Sequence, residues 1–153
     1  MPAHTGIASF SDTVYSISAT LPATYDSAGY GSTTITWTEI GKVQSFPEFG
    51  SQSPVNEFVP IKGAVEYFKG ARRYGSGPMV VGDLPVDAGQ VLLKAAEASQ
   101  NKYSMKLTYP DGEIHYLEVI VSSWKLSGAQ EGTAMTRTAD ISLMRAPVVV
   151  AAA

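Results

Sequence analysis

Apolar and polar residues alternate over several short stretches of this chain, the period of half-buried β-strands rather than of helices. From Val14 to Leu21, Tyr15, Ile17, Ala19 and Leu21 share one face, and Ser16, Ser18 and Thr20 the other. A turn-rich segment follows from Pro22 to Ser32, and then a second strand is predicted over residues 33–44, with Ile35 and Trp37 on one face. Gly41 within it marks a bulge or a close backbone approach. Residues 61–69 and 78–84 read as two further strands, separated by a glycine-rich loop over 70–77. Tyr103, Met105, Leu107 and Tyr109 alternate with Ser104, Lys106 and Thr108, and the chain returns from Glu113 to Lys125. Between these two runs lies Tyr109-Pro110-Asp111-Gly112, where proline presets its own backbone angle and glycine takes the positive one, so a hairpin is predicted. Leu117, Val119 and Val121 point one way and Ile114, Tyr116 and Ile120 the other, so both faces of the return strand are expected to be covered. A last strand over 135–145 puts Arg137, Ala139, Ile141 and Leu143 on one face.

One segment carries a helical period. Asp87 is placed to cap it, with Gln90 three residues on in the capping-box arrangement. Residues 88–99 are rich in helix formers, and Val91, Leu92, Ala95 and Ala98 or Ser99 form the apolar stripe that must lie on a sheet. Residues 45–60 have no period. They hold Pro47, Gly50, Pro54 and Pro60, with Phe46, Phe49 and Phe58 between them. A long irregular stretch in a small domain is usually functional. Its phenylalanines either fold back on the chain's own core or dock on a neighbour. Residues 1–13 read as an arm, 14–145 as a single β domain, and 146–153 as a tail.

Composition sharpens this picture. The chain has 153 residues, the size of one domain, and is 44% hydrophobic, enough to build a core. Only 16% of residues are charged, against roughly 25% in ordinary soluble domains, which hints at surface covered by partners. The net charge of -3 argues against a grip on nucleic-acid backbone. There is no cysteine, so disulfides and thiolate metal sites are excluded. No basic region followed by an apolar run opens the chain, and no stretch has the roughly eighteen apolar residues of a membrane span.

Candidate chemistry is sparse. The two histidines, His4 and His115, lack neighbours at metal-ligand spacing. No nucleophile elbow, phosphate loop or calcium loop occurs. Glu113 and Glu118 are an odd number of residues apart and so lie on opposite strand faces. Lys69, Arg72 and Arg73 form the single basic cluster, read as a solvated loop or as partners in inter-subunit ion pairs. These readings predict a protein that is not an enzyme and has no cofactor.

The stretch Thr36-Trp37-Thr38-Glu39-Ile40-Gly41-Lys42-Val43 resembles the T-x-T-E-I-G-x-V segment of siphophage tail tube proteins. It follows an opening strand, Ser16 to Asp26, as it does in that family, and Asp87-Ala88-Gly89-Gln90 is similar to the family's helix start. The resemblance covers about residues 14–145. It implies a mainly β, sandwich- or barrel-like tail tube fold flanked by one helix, at about 87–99 here. It also implies hexameric rings stacked into a tube that conducts DNA without binding it specifically. Partners would be further copies of the chain and the tape measure, distal tail and terminator proteins, with no membrane, and the place would be the virion tail.

By position, the loop reaching an adjacent ring would carry Phe46, Glu48, Phe49, Val55 and Phe58. The arms would bring Phe10, Val148 and Val149 to neighbours. Replacing Phe49 or Phe58 with Ser is then expected to leave the monomer folded and to stop tube growth. A conduit for DNA favours an acidic or neutral lumen, for which Glu39, Glu66, Glu118 and Asp140 are candidates. Competing readings are a tube protein of a contractile tail, tailocin or type VI secretion system, and a monomeric β-sandwich module that binds carbohydrate or peptide on Trp37 or Trp124.

Overall fold

A computed structural model describes residues 6, 7, 9–127 and 131–152. The start of the expected arm, including His4, and part of the loop before the last strand lie outside the described residues. The chain runs through β1 (Val14–Ser18), α1 (Ser27–Tyr30), β2 (Thr38–Glu39), β3 (Val43–Ser45), β4 (Val55–Phe58), β5 (Glu66–Lys69) and β6 (Ser76–Gly82). Then come α2 (Ala88–Ala98), β7 (Tyr103–Thr108), β8 (Ile114–Val121), β9 (Lys125–Leu126), β10 (Thr136–Leu143) and β11 (Val148–Val150).

Nine strands form one antiparallel sheet in the order β2-β1-β7-β8-β10-β6-β3, with β11 on β8 and β9 on β10. Its two end strands, β2 and β3, are separated by only residues 40–42. Four Cα steps reach at most ~15 Å, whereas six flat interstrand gaps of ~4.8 Å would need ~29 Å. The sheet must therefore curl until its ends nearly meet. The connection stitches them: the Ile40 amide donates to the Tyr15 carbonyl at 2.7 Å, and the Gly82 amide to the Lys42 carbonyl at 2.8 Å. This is the barrel-like, mainly β architecture expected.

The inner face carries the core, with Ile17, Met79, Met105, Leu117, Val119 and Ile141 buried. Helix α2 packs on β1, β2 and β8 and adds Leu93 and Ala96 to it. The outer face of β8 is covered too. Tyr116 and Glu118 are buried there, and Tyr30 of α1 stacks on Tyr116 with ring centroids 5.0 Å apart and planes 5° off parallel. The β7–β8 hairpin pairs Tyr103 with Val119 through Thr108 with Ile114. Gly112 takes φ 95° in its turn, and its amide donates to the Tyr109 carbonyl at 2.9 Å.

Five local expectations change. The strand expected over 33–44 is two short ones, because the connection crosses from the β1 edge to the β6 edge, with Lys42 at φ 61°. Gly41 makes the expected close approach, to the Asp87 carboxylate. The stretch 45–60 contains a strand, β4, while 61–69 is strand only from Glu66. The helix buries Gly89, Gln90, Leu93 and Ala96 rather than the stripe through Val91, which is 53% exposed. The rotation follows from Gln90, 2% exposed, whose side chain bonds inward: its amide nitrogen donates to the Gly41 and Gly82 carbonyls (3.0 and 2.8 Å), and its oxygen accepts from the Leu84 amide (3.0 Å). Asp87 does cap the helix, accepting from the Gln90 amide at 3.0 Å. The expected tail folds as β11, pairing Val148 with Tyr116 and Val149 with His115 in the chain's own sheet.

Candidate functional site

Two surface features lie close in sequence: a projecting hairpin and an aromatic cleft. The hairpin pairs β4 with β5, from Val55 opposite Lys69 to Phe58 opposite Glu66, and shares no strand pairing with the main sheet. It is anchored at its base. Gln52 and Arg73 exchange amide–carbonyl bonds of 2.8 and 2.6 Å, and the Gly70 amide donates to the Pro54 carbonyl at 2.7 Å. Beyond that base, Val55, Phe58, Val59, Ile61, Val65, Tyr67 and Phe68 are all exposed, Phe58 at 55% and Ile61 fully. The alternation puts Val55 and Tyr67 on one face and Phe58 and Phe68 on the other, so neither face has a core beneath it. A two-stranded hairpin is marginal in water, and apolar surface gathered in this way marks a contact site.

The cleft has a volume of about 650 Å³ and is lined by Phe10, Tyr15, Phe46, Phe49, Tyr109 and His115, together with the exposed Glu48. The rings form a chain of contacts: Tyr15 on Phe46 at 5.3 Å, Phe46 on Phe49 at 5.9 Å, Phe49 on His115 at 5.6 Å and Phe10 on Tyr109 at 5.9 Å. A polar line holds the far wall. Glu113 Oε1 lies 2.8 Å from His115 Nε2, and the Tyr109 hydroxyl 3.2 Å from His115 Nδ1. With the ring proton on Nε2 donated to Glu113, Nδ1 accepts from Tyr109. Burial first, and then the negative charge that Tyr15 and Glu113 can carry, pushes the Tyr109 phenol up to about 12. The hydroxyl therefore stays a donor at any ordinary pH.

The structure divides the sequence-predicted residues. Phe46 and Phe49 are half-buried, packed against the core as one of the two expected alternatives has it, and they also line the cleft. Val55 and Phe58 stand exposed on the hairpin, and Glu48 is among the residues that line the cleft. Phe10 is exposed and leans on Tyr109. Val149 is exposed on β11, and Val148 half-covered. Lys69, Arg72 and Arg73 are exposed about the hairpin base and make no ion pair among the described residues.

Glu39 and Glu66 are exposed and Asp140 half-buried. Glu118 is not a surface carboxylate. It is 1% exposed, with Lys102 Nζ at 3.5 Å and Arg145 Nε at 3.3 Å, and these two cations offset the cost of its burial. Trp37 and Trp124 are half-buried beneath Lys106 and Arg137 and do not line the cleft. Sequence reasoning missed Tyr15, Tyr109 and His115 as cleft walls, and Ile61, Tyr67 and Phe68 as hairpin surface. The signal for the latter was the apolar density between Pro54 and Gly70. Among the described residues no three histidine or acidic side chains gather as a metal site, and no helix is long and apolar enough to cross a membrane.

No protein-family model matches the chain, and no curated protein matches its sequence. Solved structures share its fold. The SPP1 tail tube is 15% identical over 90% of this chain and 76% of its own, with a TM-score of 0.58. A chain in the tail of the empty gene transfer agent particle, refined with C6 symmetry, is 11% identical over 89% of this chain and 95% of its own, also at 0.58. A chain of the PVC sheath-tube complex, from an extracellular contractile injection system, is 9% identical over 96% and 93%, again at 0.58. At such identities the likeness is one of fold, and the fold is that of tail and injection-system tube components.

Proposed function

We propose that this protein is a non-enzymatic structural subunit that forms hexameric rings, and that the rings stack into the tail tube of a phage through which DNA leaves. The observation that carries this reading is the unsupported apolar hairpin, β4–β5, on a chain with the fold of tube components. Such a hairpin is costly for a monomer and useful to an assembly, where a neighbour removes it from water. The shortage of charged residues agrees. Glu39, Glu66 and Asp140 remain the candidates for an acidic lumen, and a basic channel in an assembled tube would overturn that part. Tape measure, distal tail and terminator proteins are the partners this reading requires.

A second reading, a tube of a contractile system, is favoured by one observation: the PVC chain matches as well as the SPP1 tube does. The alternative of a monomeric carbohydrate- or peptide-binding module draws on the aromatic cleft, although neither tryptophan contributes to it.

Negative-stain electron microscopy of the purified protein at rising concentration, beside sedimentation, tests the proposal. Sixfold rings or hollow tubes are expected. A monomer at every concentration, with a glycan or peptide bound in the cleft, would overturn it.

A further inference from the structure

A second cavity, of about 490 Å³, opens on the outer face of β8, and Tyr25, Lys102, Glu118, Met144, Arg145 and Val148 are among the residues that line it. Glu118 is its buried member, with a side chain wholly covered. The Met144 amide donates to the Glu118 carbonyl at 2.9 Å, which sets the next residue, Arg145, against β8. Arg145 turns its Nε towards one Glu118 oxygen at 3.3 Å and lays its guanidinium on the Tyr25 ring, 3.7 Å from the centroid. Lys102 Nζ lies 3.5 Å from the other oxygen. The two cations are about half exposed, and among the described residues neither pairs with any other acid. Neither oxygen of Glu118 takes a hydrogen bond from them. One buried negative charge thus holds two positive ones by attraction alone, and the terminal nitrogens of the Arg145 fork face no acid. The cavity keeps a surplus of one positive charge beside an apolar wall of Met144, Ala146 and Val148.

We propose that this cavity binds a monocarboxylate with an apolar body. The carboxylate takes the open edge of the Arg145 fork and a proton of Lys102, and the body lies against Met144 and Val148. A planar carboxylate matches a guanidinium with two parallel hydrogen bonds, a fit that a lysine pair would not give. One negative charge also balances the surplus, whereas a dianion such as phosphate would leave net charge against the apolar wall. Glu118 is a positioning residue: it gathers the two cations before the ligand arrives, so binding spends little on ordering them. The site is built within one chain and does not depend on self-assembly. A free small acid and the C-terminus of a peptide present the same chemistry.

Saturation-transfer NMR, observing benzoate over the purified full chain, tests the proposal whether the protein is monomeric or assembled. Benzoate is expected to bind, and benzamide, of the same shape without the charge, to bind about ten-fold more weakly. Acetyl-alanyl-valine competes as the acid and as the amide. Displacement of benzoate by the acid alone identifies a peptide terminus as a source, and no displacement by either restricts the site to small free acids. Glu118→Gln with Arg145→Gln keeps the local surplus at one positive charge and leaves no buried acid unpaired. This double variant is expected to weaken benzoate about ten-fold with an unchanged circular dichroism spectrum. If it does not fold, Arg145→Lys, which keeps the ion pair and removes the fork, gives the same reading. Undiminished binding by the folded variant, equal binding of benzamide, or no binding of benzoate to the natural sequence would overturn the site.

Discussion

The side-chain amide of Gln90 bonds three backbone groups: the carbonyls of Gly41 and Gly82 and the amide of Leu84. They come from the β2–β3 connection, the end of β6 and the loop before α2, so one side chain ties the helix to the point where the sheet's ends meet. Gln90→Leu keeps the volume and deletes all three bonds. A buried group left without a partner costs about 1–3 kcal/mol. The variant is therefore expected to lose about 2–4 kcal/mol in urea unfolding, and a loss below 0.5 kcal/mol would show that the clamp does not matter. Asp87 as a cap was legible because capping is local. The role of Gln90 was not, since a polar residue at that helix position reads equally well as half of a capping box. Leaving it out of the buried face also rotated the predicted apolar stripe. Glu118 misled for a related reason: its cations, Lys102 and Arg145, are remote in sequence, and a carboxylate on an alternating strand reads as solvated.

Among elements, the β7–β8 hairpin was legible down to its turn, because Pro110 and Gly112 act within four residues. β4 was not. Pro54 and Pro60 punctuate it, and its partner β5 follows a tip that itself reads as apolar strand. The consequence can be measured with two substitutions that the sequence alone treats alike. Phe58→Ser removes an exposed ring from β4 and is expected to leave monomer stability within about 0.5 kcal/mol while abolishing rings and tubes in the electron microscope. Phe49→Ser removes a ring packed on Phe46 and His115 and is expected to destabilise the monomer itself by about 1–3 kcal/mol, less than a fully buried phenylalanine. Long tubes formed by the Phe58 variant would dismiss the hairpin as a contact. β11 was readable from its run of Val148, Val149 and Val150, a β-branched segment. Its partner was not, because β8 already had β7 on one side and the free edge was hidden.

At the scale of the molecule, the curled sheet buries tyrosines that set an alkaline limit. Tyr30 and Tyr109 are both pushed from 10.0 to about 12, chiefly by burial, and burial raises Tyr15 and Tyr116 too. A phenol held neutral in the fold ionises more readily once the chain unfolds. Its contribution is therefore complete below pH 10 and is lost as the pH rises towards 12. The part of the tyrosinate absorbance that belongs to the buried phenols is expected to rise together with the loss of circular dichroism, above pH 10. Full tyrosine ionisation near 10 in a chain that keeps its β spectrum would contradict the buried Tyr30–Tyr116 stack. The β class, the single amphipathic helix and most strands could be read from alternation. Strand order could not, because β1 lies beside β7 and β6 beside β10, and pairing across such separations leaves no local mark.

That order has a bearing on when the protein comes into being. β10 is the strand between β6 and β8, and until Thr136–Leu143 is available those two have no common neighbour. A nascent chain on the ribosome can complete the β7–β8 hairpin but not the barrel. Distant pairings of this kind also slow folding. The closed sheet is therefore out of reach until Thr136–Leu143 has emerged, which makes folding of the barrel a late event in the making of each chain.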